Sequence, residues 1–256
     1  MQHQDLSQLV DNGLLFSQIC KVTALALVAL GSGLLVLRHG VRVNYTRKIN
    51  HFALFCLPPW IDILFDVPNG VPAGIANGLS TGLLFAFFMA PVRARVPIAQ
   101  TMFASYDRPE DRPHTLMWIV TQYLAGLAVI VPIMIYFDYR GYGALAMMVV
   151  LITIVGDGLA EPVGVRYGKR KYSVPGLFVD RRYERSFMGS FCVLIVGVAG
   201  VVLFQDTFTT PQFVAALLVL PIAVTLTEAV SPHTWDTPFL FLAGGLCVAA
   251  VKNWVP

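Results

Sequence analysis

Charged residues are scarce in this chain of 256 residues. Asp, Glu, Lys and Arg together make up 13% of it, whereas apolar residues make up 56%. A soluble globular protein carries about 25% charged residues. The shortage of charge therefore excludes an ordinary soluble protein. It predicts a single membrane domain over residues 1–256, because almost no segment is polar enough to form a separate soluble domain.

Cysteine is also sparse, and its four occurrences lie inside apolar runs without a C-x-x-C spacing. This pattern indicates neither a zinc site nor a disulfide framework. The polar segment Met1–Ser17 lacks the basic region with which a signal peptide begins, so we expect the first apolar run to remain as a membrane helix. The motif H-E-x-x-H is absent too, which argues against hydrolysis by that route.

The chain contains several long runs of apolar residues. A membrane helix needs about 17–25 such residues. Seven runs approach this length, while an eighth is short and contains Pro58, Pro59 and Asp62, so that it could be broken, tilted or re-entrant. We predict an all-α, polytopic membrane bundle with about eight transmembrane helices, seven being the alternative. The runs lie near residues 18–37, 51–66, 71–91, 115–137, 141–156, 187–204, 211–230 and 237–252.

The positions of the cations predict a topology for this bundle. With eight spans, four loops lie on one side of the membrane and contain all of the 18 Lys and Arg residues except Lys21, Arg140 and Lys252. By the positive-inside rule this side is cytoplasmic, and both termini lie on the other side. Topology and anionic lipids alone would also demand such basic loops. The four predicted loops are residues 38–50, 92–114, 157–186 and 231–236.

Two carboxylates follow directly after the apolar run that ends at Val155. Carboxylates at a bilayer boundary are costly and usually functional. If the helix continues, the four-residue spacing places Asp157 and Glu161 on one face. There they could share Mg²⁺, or one could bind the metal while the other orients a hydroxyl. The alternative is a helix cap at Asp157 and a surface salt bridge at Glu161.

Glycines and cations continue this segment. Gly164 and Gly168 permit either close helix packing or the close approach of a phosphate chain. Lys169 and Lys171 could hold phosphate oxygens. The spacing of the glycines is not that of a Walker A loop.

A second candidate site leads into the apolar run that begins near residue 187. Ser186, Gly189 and Ser190 are expected at a helix N-terminus, where backbone N–H groups favour anions, and Arg185 precedes them. An interfacial cap with snorkelling arginines would give the same pattern.

Two acidic residues border the last predicted loop. Glu228 ends an apolar run, where an unpaired carboxylate would be expensive, so we expect it to have a cation or a metal as its partner. Asp236 begins the next run and could be a metal ligand or simply the N-cap of a helix.

Two basic segments lie in the first half of the chain. In Arg47-Lys48-x-x-His51, the arginine and the histidine are one turn apart on one face, although an interfacial histidine is an equally plain interpretation. The segment 105–115 is a loop of mixed charge whose Arg112 could reach a nucleotide. A solvated loop is the alternative.

In their order along the chain, these segments resemble the polyprenol kinase family of integral membrane enzymes, which includes dolichol kinase, phytol kinase and the CTP-dependent diacylglycerol kinase. The family's R-K-x-x-H, G-D-x-x-A-x-x-x-G, K-S-x-x-G-S and closing acidic motif each have a similar segment between about residues 47 and 238. Two departures concern metal and base recognition: Met188 stands where the family often has an acidic residue, and Thr237 follows Asp236 where several relatives carry Asn.

The resemblance implies transfer of the γ-phosphate of CTP to the hydroxyl of a membrane lipid alcohol. Under it, Asp157 and Glu161 would hold Mg²⁺ or activate the hydroxyl, and Lys169, Lys171 and Arg185 would neutralise the triphosphate. Glu228 and Asp236 are the further candidate metal ligands. The complete set of expected nucleotide-binding residues is Arg47, Lys48, His51, Arg112, Gly164, Gly168, Lys169, Lys171, Arg185, Ser186, Gly189 and Ser190.

Two other functions stay open. Asp157-x-x-Ala160 with a later Gly-Lys is similar to phosphatidate cytidylyltransferases, which make CDP-lipids, but their P-G-H-G-G and D-R-x-D ending is absent. A transporter would place acids at mid-membrane and broken helices in both halves, whereas the acids here lie at the boundary. We expect a lipid substrate, a nucleoside triphosphate and the bilayer as partners, and no nucleic acid. Small-x-x-x-small pairs leave a homo-oligomer open.

Overall fold

α-Helices make up most of the computed structural model, which describes residues 12–67 and 71–256. The predicted all-α class is confirmed, with one β-hairpin in addition. Residues 1–11 of the segment Met1–Ser17 lie outside the described residues, and so does the part of the expectation that concerns them. The elements are α1 (Asn12–His39), α2 (Val43–Leu64), α3 (Val71–Phe87), α4 (Ala90–Arg93), α5 (Pro97–Ala104), α6 (Thr115–Tyr139), α7 (Gly143–Tyr167), β1 (Lys171–Pro175), β2 (Arg182–Ser186), α8 (Phe187–Leu203), α9 (Thr210–Val230) and α10 (Asp236–Trp254).

Five helices in the described part of the chain are long and apolar enough to cross a membrane: α1, α6, α7, α9 and α10. The predicted spans near 71–91 and 187–204 correspond to α3 and α8, whose apolar parts are shorter. These helices are consistent with an integral membrane protein. The count of eight spans is not confirmed.

The outer faces of the helices are strongly apolar. Val230 is 71% exposed, Leu203 is 69% exposed and Leu83 is 70% exposed. Soluble monomers rarely expose apolar patches of more than a few hundred Å². Lipid tails would cover such faces without the cost that they incur in water, which agrees with the apolar composition.

The short run at 51–66 is part of one continuous helix. α2 begins at Val43, inside the predicted loop 38–50, and passes through Pro58 and Pro59 without ending. Each proline removes a backbone hydrogen bond. The helix continues nevertheless, since α1 packs along it.

The chain divides into two compact units, of which the first ends at Leu116 and the second begins at Met117. In the first unit, α1 packs against α2, α3 and α5. In the second unit, α7 packs against α8 and α10, and α9 packs against α8 and α10. Both units are built largely from apolar helices. The two units are therefore subdivisions of the membrane domain that was expected over residues 1–256.

Regular structure replaces much of the predicted loop 157–186. α7 continues to Tyr167, so the acidic pair is helical, and β1 and β2 form an antiparallel hairpin in which Tyr172 pairs with Arg185. Hydropathy could not predict this continuation, because the last turns of α7 contain the charged residues Asp157, Glu161 and Arg166. The loop 92–114 likewise contains α5 and a short 3-10 helix.

Candidate functional site

The acidic pair lies in the interior of α7. Asp157 is 4% exposed and Glu161 is half-buried. Because the helix is continuous, the four-residue spacing places both on one face, as the sequence predicted. The alternative of a helix cap at Asp157 is wrong, since α7 ends only at Tyr167.

Glycines bring this part of α7 against the start of α8. A Cβ added to Gly189 would lie 2.7 Å from the carbonyl oxygen of Ala160, and one added to Gly164 would lie 2.6 Å from Oγ of Ser186. A Cβ on Gly168 would also overlap Ser186. Of the two roles weighed for these glycines, close packing is the one observed. Ligand binding by their backbone stays a prediction.

The N-terminus of α8 carries its own cap. The Ser186 hydroxyl accepts a hydrogen bond of 3.1 Å from the backbone N–H of Gly189. This contact satisfies one of the free N–H groups with which a helix begins. At the predicted anion site, the N-terminus of α8, the backbone N–H of Gly189 is therefore already used by this contact.

Arg185 of β2 joins the ends of α9 and α10. Its Nη1 donates to Glu228 Oε1 at 2.6 Å, and its Nη2 donates to the carbonyl oxygen of Ser231 at 3.3 Å. Its Nη2 is also 3.5 Å from Oδ2 of Asp236. Arg185 is thus the cationic partner that Glu228 was expected to have. It contacts Glu228 and Asp236, which are two of the four carboxylates that the sequence assigned to a metal.

The second carboxylate oxygen of Glu228 belongs to a hydrogen-bonded chain. It accepts from Ser190 Oγ at 2.8 Å, and Ser190 Oγ is 2.6 Å from the Tyr172 hydroxyl. Because the single proton of Ser190 goes to the carboxylate, Tyr172 must donate to Ser190. We call Tyr172, Arg185, Ser190, Glu228 and Asp236 the Arg185 cluster.

Tyr172 was not among the predicted site residues. Its place in the Arg185 cluster depends on the hairpin, which sets it opposite Arg185. No spacing in the sequence indicates that pairing. The only available signal was the strand-like segment K-Y-S-V-P, which precedes the second basic stretch.

The carboxylates of the Arg185 cluster keep the Arg185 guanidinium positively charged. Burial by itself lowers the pKa of the Arg185 guanidinium, but Asp236 and Glu228 outweigh this and raise the pKa above its ordinary value. Burial and the charge of Glu228 raise the pKa of Tyr172. The tyrosine therefore stays neutral at physiological pH and keeps the proton that it donates.

The metal assignment has mixed support in the donor set. Within residues 12–67 and 71–256, no group of three His, Cys, Asp or Glu side chains could hold a metal ion. Mg²⁺ is usually bound by one or two carboxylates together with substrate phosphates and waters. Asp157 and Glu161 fit that mode of binding. Glu228 and Asp236 are instead engaged by Arg185.

The predicted phosphate-binding lysines lie on the surface beside α8. Lys169 is exposed, and Lys171 is paired in the hairpin with Ser186, the residue before α8. Lys171 Nζ contacts Glu184 Oε2 at 2.7 Å, and both side chains are more than half exposed. An exposed pair of this kind contributes little stability, so Lys171 can leave it for a phosphate at small cost.

Four predicted nucleotide-binding residues belong to the first unit. Nη1 of Arg47 is 3.7 Å from Oδ2 of Asp111, and Nε of Arg108 is 2.7 Å from the same oxygen. Lys48, on α2 beside Arg47, is buried. Asp111, the buried carboxylate that holds both arginines, was not among the predicted site residues.

His51 and Arg112 have simpler surroundings. The His51 ring lies 5.0 Å from that of Phe55, its neighbour one turn later on α2. Arg112 is exposed, and its Nε donates to Asp107 Oδ2 at 2.8 Å. Both contacts fit structural roles, and neither tests nucleotide binding.

Comparison with known proteins found no match: no protein-family model, no curated protein and no solved structure matches the chain. The resemblance to polyprenol kinases therefore depends on the quoted motifs and stays a prediction. The side chains of the second unit are the remaining guide to function.

Proposed function

We propose that this protein is a lipid-alcohol kinase, which transfers the γ-phosphate of CTP to the hydroxyl of a membrane lipid in a Mg²⁺-dependent reaction. The observation that carries the proposal is the Arg185 cluster, which is built where α8 and α10 begin and α9 ends. Buried polar networks at the ends of apolar helices are costly and usually functional.

Phosphoryl transfer requires positioning and charge neutralisation more than covalent chemistry by the protein. The second unit offers both kinds of group around one helix contact. The acids Asp157 and Glu161 lie on the part of α7 that packs against the start of α8. Cations follow at once in Lys169 and Lys171. This combination supports a site for Mg²⁺ and a phosphate chain.

Each side chain has a role in the proposal. Asp157 and Glu161 hold Mg²⁺, or one of them orients the lipid hydroxyl. Lys169 and Lys171 neutralise the phosphates. Arg185 is held by Glu228 and positions the start of α8, and it can turn from Asp236 towards a phosphate because their contact is the longer one at 3.5 Å.

The membrane arrangement follows from the same proposal. The loops that contain the acids and lysines face the cytoplasm, where CTP is available, and both termini face the opposite side. α2, α3 and α8 complete the eight passages of the chain. The lipid alcohol reaches the site along the exposed apolar faces of the helices, with its hydroxyl at the boundary.

The deciding experiment uses purified protein, Mg²⁺, an organic extract of membranes and CTP labelled on either the α- or the γ-phosphate. We expect label in the organic phase from the γ-position alone. Label from the α-position would instead identify a cytidylyltransferase. No transfer from CTP or ATP would contradict the proposal and favour a transporter.

A further inference from the structure

The turn between α9 and α10 contains two buried polar groups that lack a hydrogen-bond partner within the described structure. They are the Thr234 hydroxyl and the indole N–H of Trp235. Thr234 is 6% exposed. Buried side-chain donors are nearly always paired, so each exception needs an explanation. Two exceptions on consecutive residues suggest that a partner comes from outside the chain.

Trp235 belongs to a row of three aromatic rings. The Trp235 ring meets the Phe178 ring edge to face at 5.8 Å, and Phe178 stacks on Trp118 at 5.7 Å. Trp118 is fully buried, whereas Phe178 is 55% exposed and presents ring surface to a ligand. Exposed aromatic rings of this kind are platforms on which flat heterocycles stack.

The turn is also rigidly attached to the hairpin. His233 stacks on Tyr183 with ring centroids 3.6 Å apart, and its backbone N–H donates to the carbonyl oxygen of Pro175 at 2.9 Å. The turn that contains the unpaired groups is therefore preformed, since the residue before them is fixed by both contacts.

The chemistry of the turn selects an uncharged, planar ligand. Residues 231–235 include no Lys or Arg, so nothing in the turn itself would neutralise a phosphate. The indole N–H can only donate, and a threonine hydroxyl can donate or accept. Together with the rings, these groups match a heterocycle whose edge carries acceptor atoms.

We propose that this turn and Phe178 hold the nucleobase of the nucleotide donor. The inference rests on the proposed kinase function and adds the place where the base binds. The turn lies directly between Glu228 and Asp236, both of which contact Arg185. A base bound here leaves its phosphates beside the Arg185 cluster. Cytosine, with adjacent N3 and O2 acceptors, complements the two donors.

The test measures binding of CTP and of inorganic triphosphate to the purified full-length protein by titration calorimetry in detergent with Mg²⁺. Trp235→Phe keeps an aromatic ring and removes the N–H, and Thr234→Val keeps the shape and removes the hydroxyl. Each should weaken CTP binding about tenfold, as expected for one lost hydrogen bond to a ligand. Binding of inorganic triphosphate should not change, because it has no base.

Two matched controls accompany these variants. Trp254→Phe changes a tryptophan that is 83% exposed at the end of α10. Thr153→Val removes the unpaired buried hydroxyl of α7, away from the turn. Neither control should alter CTP binding. Thermal unfolding of every variant establishes that the fold is retained.

The other outcomes separate the two ideas. If the wild type binds CTP and both turn variants bind it equally well, the base site is wrong and the kinase proposal stands. Equal weakening of CTP and triphosphate would also overturn the base site, because the loss would then lie in the phosphate contacts. A wild type that binds neither ligand would overturn the proposed function and this inference together.

Discussion

At the scale of single residues, the contact between Arg185 and Glu228 governs the candidate site. Both side chains are at most 10% exposed, and the ion pair is short at 2.6 Å. A charge that loses its partner at such a depth has no water to replace it. Each of the two residues therefore depends on the other for its stability.

Replacement of the arginine should show this dependence. Arg185→Met leaves Glu228 buried without its cation and should cost about 3–5 kcal/mol of unfolding free energy. In Arg185→Met/Glu228→Gln the loss should be smaller than the sum of the single losses, because neither charge is then left alone. Lys171→Met, in an exposed pair, should cost at most about 1 kcal/mol. Denaturant titrations in detergent measure these three variants and Glu228→Gln alone, and additive losses would contradict the coupling.

Asp157 allows a test of the chemistry at one atom. Asp157→Asn keeps the shape of the side chain and removes the charge that would hold Mg²⁺. We expect transfer of the γ-phosphate to fall at least about 100-fold. Asp206→Asn, at an exposed acid between α8 and α9, should keep wild-type activity. Size-exclusion chromatography shows whether each variant is monodisperse. An active, monodisperse Asp157→Asn protein would contradict the assignment of Asp157 as a Mg²⁺ ligand.

At the scale of elements, the site exists because α7 and α8 touch through glycine. The carbonyl oxygen of Ala160 occupies the place that a Cβ of Gly189 would need. The start of α8, and Ser190 with it, is thereby held against the acidic part of α7. A larger residue at this position must separate the two helices.

The glycine contact predicts a cost that can be compared with a neutral site. Gly189→Ala should destabilise the protein by about 1–3 kcal/mol through overpacking. Gly31→Ala places a methyl group on α1 where no atom lies within 4 Å. That control should be neutral or stabilising by up to about 1 kcal/mol, since alanine favours the helix. Thermal unfolding in detergent compares the two, and an equal melting temperature would refute the role of close packing.

In the first unit, an ion pair holds α1 against α2. Lys21 and Asp62 are in direct contact, and Lys21 Nζ also donates to Asn77 Oδ1 of α3 at 2.7 Å. Asp62→Asn would leave the buried ammonium without a counter-charge and should cost about 3–5 kcal/mol. Asp66→Asn, at an exposed acid one turn later, should change little. Stability of the full chain in detergent measures both variants, and equal stabilities would show that the pair contributes nothing.

At the scale of the whole molecule, the predicted topology concerns the number of times that the chain crosses the bilayer. Five described helices are long and apolar enough to do so. The eight-span topology requires α8 to cross as well, although its apolar length is only 17 residues. The two ends of α8 would then face opposite sides.

Two introduced cysteines test this crossing. Asp180→Cys lies in the hairpin before α8, and Asp206→Cys lies just after it; both positions are exposed. In a background without the four native cysteines, a membrane-impermeant maleimide added to intact cells should label Asp206→Cys. It should label Asp180→Cys only after permeabilisation. Labelling of both from the same side would refute the eight-span topology.

The sequence predicted well whatever depends on local composition. Each of the five long apolar helices coincides with an apolar run of the sequence: α1, α6, α7, α9 and α10. The reason is that the free energy of transferring a side chain into lipid depends on that residue and its neighbours along the chain. The common face of Asp157 and Glu161 could be predicted for the same reason, since helix geometry alone relates residues four apart. The expectation that Glu228 has a cation or a metal as its partner came from the cost of a lone carboxylate.

What only the tertiary structure decided is which distant groups meet. The partner of Glu228 is Arg185, 43 residues away, and no spacing in the chain selects it from the other cations. The hairpin that brings Tyr172 beside Arg185 and the continuation of α7 to Tyr167 also depend on packing against other elements. The hydropathy of a segment is a sum over neighbouring residues, so apolar helices can be predicted from the sequence. Pairing is a property of contacts between elements, and only the fold creates those.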